Sequence, residues 1–182
     1  MSAAPRVRVL ERFDDAEIAA LSAVLIDCVE GGAGVSFMLP LSVDKAQSYW
    51  RRMAASAGRG ERIVLVALDE SGLVGAVQLV LDMPENQPHR AEVAKMLVHR
   101  RARRRGIGAA LLKAVEEKAL ESGRTLLVLD TVTASDGYRL YARHGWQRCG
   151  EIPGYALAPD GGLCPTTVFF KQLSAQHEID RT

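Results

Sequence analysis

Two carboxylates, Glu92 and Asp130, and one basic turn, Arg100 to Gly108, stand out in this 182-residue chain as residue types at spacings that can do chemistry. A carboxylate near an amine takes its proton or holds its charge. On an alternating strand Glu92 shares a face with Ala94, Met96 and Val98, an apolar setting that raises a carboxyl pKa and improves it as a base. Asp130 ends an apolar strand, where open α/β sheets bind ligands. Structural roles stay open beside these: a surface ion pair with Arg90 for Glu92, and a cap on the following turn for Asp130.

The turn follows Glu-Val-Ala-Lys-Met-Leu-Val98 and precedes Gly106-Ile-Gly108-Ala-Ala-Leu-Leu112, so it joins a strand to a helix. Such a junction aims unpaired backbone N–H groups and the positive end of a helix dipole at one spot, which binds anions. Gly106 and Gly108 let phosphates approach the backbone, and Arg103, Arg104 and Arg105 add mobile positive charge. A dinucleotide site would need a third glycine or alanine where Leu111 stands, although Asp130 would supply its acid. A Walker loop would need Gly-Lys-Ser/Thr, which is absent. A solvated arginine-rich turn or a nucleic-acid patch is the remaining alternative for five arginines in six positions, and their place between strand and helix disfavours it.

The elements that must hold these residues follow from hydrophobic period. Arg6 to Leu10 alternates as a strand, and Asp14 with Glu17 caps a helix with Ile18, Leu21, Leu25 and Val29 on one face. Gly31 and Gly32 end it, a glycine-rich segment runs to Pro40 as a binding loop or connector, and Ser42 caps a second helix to about Ala57. Arg62 to Asp69 and Leu73 to Leu81 read as a hairpin, with Gly75 marking a bulge. Arg90 to Val98, the helix from Gly106 to about Ser122 and Thr125 to Thr131 form a parallel strand–helix–strand unit. Ser135 caps a helix ending at His144-Gly145, and Trp146 to Tyr155 and Pro165 to Lys171 are strands joined by Pro159-Asp-Gly-Gly162. The fold class expected is α/β, one mixed sheet flanked by helices, in one domain over residues 1–173 with a polar, disordered tail over 174–182.

Composition narrows the rest. A net charge of +1 demands no polyanionic partner, and the amino terminus has no apolar core of signal-peptide length, so a cytoplasmic protein away from membranes is expected. Cys28, Cys149 and Cys164 are odd in number and, like the four histidines, lack metal-ligand spacing, so neither a disulfide framework nor a metal is expected.

Arg103-x-x-Gly106-x-Gly108, Glu92 fourteen residues before the first glycine, and Tyr141 four residues before Gly145-Trp146 resemble the GCN5-related N-acetyltransferases, the GNAT superfamily. The order of elements resembles theirs to Leu173. The segments Gly31-Gly-Ala33, Ser36-Phe-Met38, Arg90-Ala-Glu-Val93, Leu129-Asp-Thr131, Glu151-x-Pro-Gly-Tyr155 and Pro159-Asp-Gly161 are most similar to the tabtoxin resistance acetyltransferases, which acetylate an amino-acid toxin.

The resemblance implies acetyl-CoA as donor, bound by Met96, Leu97, Val98, Arg103, Arg104, Arg105, Gly106, Ile107, Gly108 and Ala109. It implies an oxyanion donor in the backbone near Met96 or Leu97. Glu92 would take the amine's proton, Asp130 would hold cationic or polar groups, and Tyr141 would be the acid, although Tyr141 also suits a packing role that Tyr138 fits better. The acceptor would be a small primary amine, an amino acid or amino-acid-like toxin, touching Gly32, Ser36, Phe37, Glu92, Asp130 and Tyr155. A protein amino terminus or lysine as acceptor, and a non-catalytic acyl-CoA-binding module, remain as alternatives. A homodimer is compatible with this reading.

Overall fold

The computed structural model describes residues 5–174; the remainder of the tail read from the sequence lies outside them. Seven strands form one mixed sheet: β1 (Arg6–Val9), β2 (Arg62–Asp69), β3 (Gly72–Val80), β4 (Arg90–Val98), β5 (Leu126–Val132), β6 (Gln147–Leu157) and β7 (Leu163–Gln172), in the order β1-β2-β3-β4-β5-β7-β6. Four α-helices flank it: α1 (Asp15–Glu30), α2 (Val43–Gly58), α3 (Ile107–Glu121) and α4 (Asp136–Arg143). The α/β class and the order of elements expected from the sequence are those observed. The helix starts are where side-chain oxygens cap them, Asp14 to Glu17 N at 2.9 Å, Ser42 to Lys45 N at 3.2 Å and Ser135 to Tyr138 N at 3.1 Å.

Two cores sandwich the sheet. On one face α3 buries Ile107, Leu111, Leu112 and Val115 against Val77, Leu79, Ala91 and Val93, and that core continues through Leu127, Leu129 and Phe169 to Tyr141 and Trp146. On the other, α1 and α2 bury Leu21, Leu25, Val29 and Trp50 against Val64, Val66, Ala76 and Leu97. Burying side chains of this size contributes about 1.5–3 kcal/mol each, so both faces at β2 to β4 are fixed tightly. The helix pair stops short of β5, β7 and β6.

Two bulges adjust this frame. The β2–β3 register shifts where Ala67 faces Gly75 and Leu68 faces Leu73, so Val74 is the inserted residue, next to the glycine that flagged it. A Cβ on Gly75 would lie 2.9 Å from the Leu97 carbonyl and 3.0 Å from Leu111, so the glycine also seats α3 on the sheet. The second bulge is in β4. Gln78 faces Ala94 and Ala76 faces Leu97, so Lys95 and Met96 together oppose Val77. Lys95 takes φ 52, a left-handed backbone costing a non-glycine residue about 1–3 kcal/mol.

Candidate active site

The β4 bulge decides which way the site residues point. Ala91 and Val93 face α3, and Met96 and Val98 pack on that same core, while Leu97 belongs to the opposite one. Glu92 and Ala94 therefore lie on the α1–α2 face, and the face that Glu92 was expected to share with Met96 and Val98 does not exist. Strict alternation fails because an inserted residue reverses every side chain after it. Nor is the Glu92 setting apolar: its side chain is 48% exposed and accepts from Arg90 Nη1 at 2.9 Å.

Beside it the sheet opens. The parallel strands β4 and β5 are paired only from Arg90 with Leu126 to Glu92 with Val128, and from there they separate. The edge of β4 from Val93 to Val98, which carries Met96 and Leu97, is thus not paired to β5 and leaves backbone groups facing a cleft. Asp130 lies past the opening on β5, on the opposite face from Leu127 and Leu129, and accepts from Thr166 Oγ1 at 3.1 Å. It does not cap the next turn; Ser135 does.

At the end of β4 comes the basic turn. Gly106 takes φ 78 and precedes α3, whose first turn has no side-chain cap, so the N–H groups of Ile107, Gly108 and Ala109 remain for a ligand. Arg104, at φ 60, has neither hydrogen bond nor ion pair among the described residues. The other two arginines are less mobile than the sequence suggested, with Arg103 Nε on the Val98 carbonyl at 3.3 Å and Arg105 Nη1 on Asp69 at 3.1 Å. Gly108 has a different use as well. A Cβ there would meet Leu140 Cδ2 at 3.2 Å, so this glycine lets α4 pack on α3.

Asp27, at the end of α1, fixes the turn from the other side. Its carboxylate accepts the backbone N–H of Arg100 at 2.7 Å and Arg100 Nε at 2.9 Å, with His99 Nδ1 at 3.3 Å. Burial pushes its pKa up, but those donors and charges outweigh burial and hold it below the usual carboxylate range. Cys28, next to it, meets the Val98 carbonyl at 3.5 Å, and burial pushes its thiol pKa up.

Tyr141 is 5% exposed and packs among Trp146, at 5.6 Å between ring centres, and Phe169, at 6.1 Å. Burial, and then the charge of Asp130, push its phenol pKa up. Its hydroxyl has no hydrogen bond among the described residues. Sealed, partnerless side-chain polar atoms there are Trp50 Nε1 and Arg124 Nε alone, so the Tyr141 oxygen retains contact with open space. Tyr138, at 5.3 Å from Phe169, also packs under the sheet, so both tyrosines share the packing role.

The loop of residues 31–41 crosses the cleft at the ends of β4 and β5. Gly34 packs on Val132, Ser36 accepts from Lys95 Nζ at 3.0 Å, and Phe37 stands edge-on to Tyr49 at 5.2 Å. Leu39 N donates to the Pro159 carbonyl at 2.9 Å, which ties this loop to the β6–β7 turn. Gly32, at φ 83, is exposed at the head of the loop, and Tyr155 is 54% exposed on β6. Sequence reasoning missed Lys95, Asp27, Tyr49 and Gln78. Only Lys95 and Gln78 gave a signal, as polar residues inside otherwise apolar strands.

These features have counterparts elsewhere. The chain is 32% identical over 106 residues to an uncharacterized N-acetyltransferase from the hisH–hisA intergenic region of Azospirillum brasilense. That match takes in 57% of this chain and 61% of the relative, so the chain spans about three fifths of the curated protein's length. The yncA protein of Salmonella typhimurium, solved with its cofactor acetyl-CoA, has the same fold at a TM-score of 0.76 and 19% identity, over 99% of this chain and 100% of that one. An N-acetyltransferase of Staphylococcus aureus Mu50 superposes at a TM-score of 0.78 with 16% identity, over 94% and 100% of the two chains. Residues 36–146, from the loop beside the cleft to Trp146, match the profile of the acetyltransferase (GNAT) family, and the chain belongs to that family.

Proposed function

We propose that the chain is an acetyl-CoA-dependent N-acetyltransferase that acetylates a small primary amine directly, an amino acid or an amino-acid-like toxin. The observation that carries this reading is the uncapped start of α3 at the end of a strand that has parted from β5, with Glu92 and Asp130 at the parting. Those residues fit the donor. The N–H groups of Ile107, Gly108 and Ala109 and the Arg104 guanidinium would hold its pyrophosphate, and the unpaired edge of β4 would offer backbone groups to its pantetheine amides. When bound, the donor supplies a thioester carbonyl carbon open to attack.

The chain's own groups then divide the work. Glu92 takes a proton from the acceptor ammonium so that the nitrogen attacks, and Asp130 holds the acceptor's cationic or polar groups. A backbone N–H at Met96 or Leu97 meets the oxyanion. Once the C–N bond has formed, Tyr141 would give its proton to the sulfur as the C–S bond breaks, and the second proton shed by the acylated nitrogen would return to the Tyr141 oxygen, leaving an amide, a thiol and a restored phenol. A phenol is ordinarily a weaker acid than a thiol, with pKa near 10 against about 8.5, and burial and Asp130 weaken Tyr141 further, so the transfer depends on placement beside the sulfur. Direct attack is favoured over an acetyl-cysteine, since Cys28 has a raised thiol pKa.

The hydrogen bond from Leu39 to Pro159 spans the acceptor face and supports a small acceptor over a peptide, which needs an open groove. The test is thiol release from acetyl-CoA against amino acids, β-lactam amino-acid toxins, polyamines and amino-terminal peptides. Release confined to small amines is expected. Release with peptides alone would make the chain a protein acetyltransferase, and tight acetyl-CoA binding with no release would make it a binding module.

A further inference from the structure

Lys95 occupies a backbone position that suits glycine, at φ 52, and is half buried, yet among the described residues no carboxylate lies within ion-pair distance of it. Either cost would be avoided by another residue. Its ammonium donates once, to Ser36 Oγ at 3.0 Å, and stands 6.0 Å from the centre of the Tyr49 ring. An ammonium carries three N–H groups, so two remain for a ligand.

Its surroundings are built rather than incidental. Gln78, fully buried, donates to the Tyr49 hydroxyl at 2.8 Å and accepts from Arg62 Nη1 at 2.6 Å, which locks the ring that Lys95 lies over. Arg62 is held by neutral partners only, Gln78 and Ser56 Oγ at 2.9 Å, and also lacks a carboxylate within ion-pair distance among the described residues. Ser56 passes the Arg62 hydrogen bond on to Glu61 at 2.7 Å, so Arg62 has a carboxylate behind it, whereas Lys95 has no anion bonded to it among the described residues. Burial pushes the Lys95 pKa down, Asp130 holds it up and Arg62 pushes it down again, so the pocket gains from a further negative charge.

We infer that Lys95, projected by the β4 bulge, is the point at which the acceptor's carboxylate is bound, and that it selects amines carrying a carboxylate over amines without one. This rests on the acetyl-transfer reading above. The charge pattern fits a zwitterion: Glu92 and Asp130 for the amine end, Lys95 with Arg62 behind it for the acid end. Glu92, Ala94 and Lys95 lie on one face because the bulge inserts a residue there, so the same irregularity that reverses the strand places both ends of the acceptor.

The experiment pairs α-amino acids with their carboxamides as acceptors and compares kcat/KM for wild type, Lys95→Met, Lys95→Gly and Lys95→Arg. Wild type is expected to favour the carboxylate form by about 10- to 100-fold, the range a charge-assisted hydrogen bond gives. Lys95→Met and Lys95→Gly lose that preference through KM for the acid, with the carboxamide and acetyl-CoA values unchanged, and Lys95→Arg restores part of it. Lys95→Gly relieves the backbone strain, so a melting temperature at or above wild type separates lost recognition from lost folding. Acetylation of both forms at equal efficiency, or a preference that survives Lys95→Met, overturns the inference and leaves acetyl transfer standing. Acetyl-CoA binding with no acceptor turned over overturns the acetyl-transfer reading, and this inference with it.

Discussion

Asp27 accepts both the main-chain N–H and the Nε of Arg100, at 2.7 and 2.9 Å, so the last turn of α1 holds the basic turn that precedes α3. The basic turn at the end of the cleft is therefore positioned from across the sheet. Asp27→Asn keeps the shape and removes the charge, and should raise the acetyl-CoA KM about five-fold, equivalent to ~1 kcal/mol, with kcat little changed. The folded pKa of Asp27 lies below its unfolded value near 4, so its contribution is present above about pH 4 and lost as pH falls through the folded value. Thermal melts on an acid series, wild type against Asp27→Asn, should converge below pH 4; curves that stay parallel would remove the carboxylate's charge from the account.

Tyr141→Phe deletes a hydroxyl that bonds to nothing among the described residues, so no partner is left unsatisfied and stability should change by less than ~0.5 kcal/mol. Turnover should fall about 100-fold if this phenol protonates the sulfur. Its pKa is raised, so the phenol stays protonated through pH 10 and sets no alkaline limb of the pH–rate profile below that. A fully active Phe variant would reduce Tyr141 to its packing on Trp146 and Phe169.

Gly106→Ala and Gly108→Ala separate the two glycines. At φ 78 an alanine at 106 costs about 1–2 kcal/mol of backbone strain and should weaken coenzyme A binding, measured by calorimetry. At 108 the backbone accepts alanine, but its Cβ would crowd Leu140 Cδ2 at 3.2 Å, which must give by a few tenths of an ångström on the helix that carries Tyr141. That variant should lose kcat more than donor affinity. The reverse result would mean that Gly108 serves the phosphates first.

The strand–turn–helix unit was legible because glycines, a β-branched run and helical spacing are local signals. Caps at Asp14, Ser42 and Ser135 were legible for the same reason. The orientation of Glu92 was not, since the bulge at Lys95 comes from how β4 meets β3 and no turn residue announces it. Asp27 reaches a turn 73 residues away, and Gly108 answers to Leu140 on another helix. Such long-range pairings leave no mark on local pattern, and they are what set the chemistry of the cleft.

Acetyl transfer at the parting of β4 and β5 is tested most directly by mass spectrometry of the acceptor after incubation with acetyl-CoA, wild type beside Glu92→Gln. Wild type should yield acetylated small amine, with the Glu92→Gln rate lower by about 100-fold near neutral pH and acetyl-CoA affinity unchanged. Equal rates in both proteins across a pH series would contradict Glu92 as the base. The absence of acetylated amine with either protein, despite acetyl-CoA binding, would contradict the transferase itself.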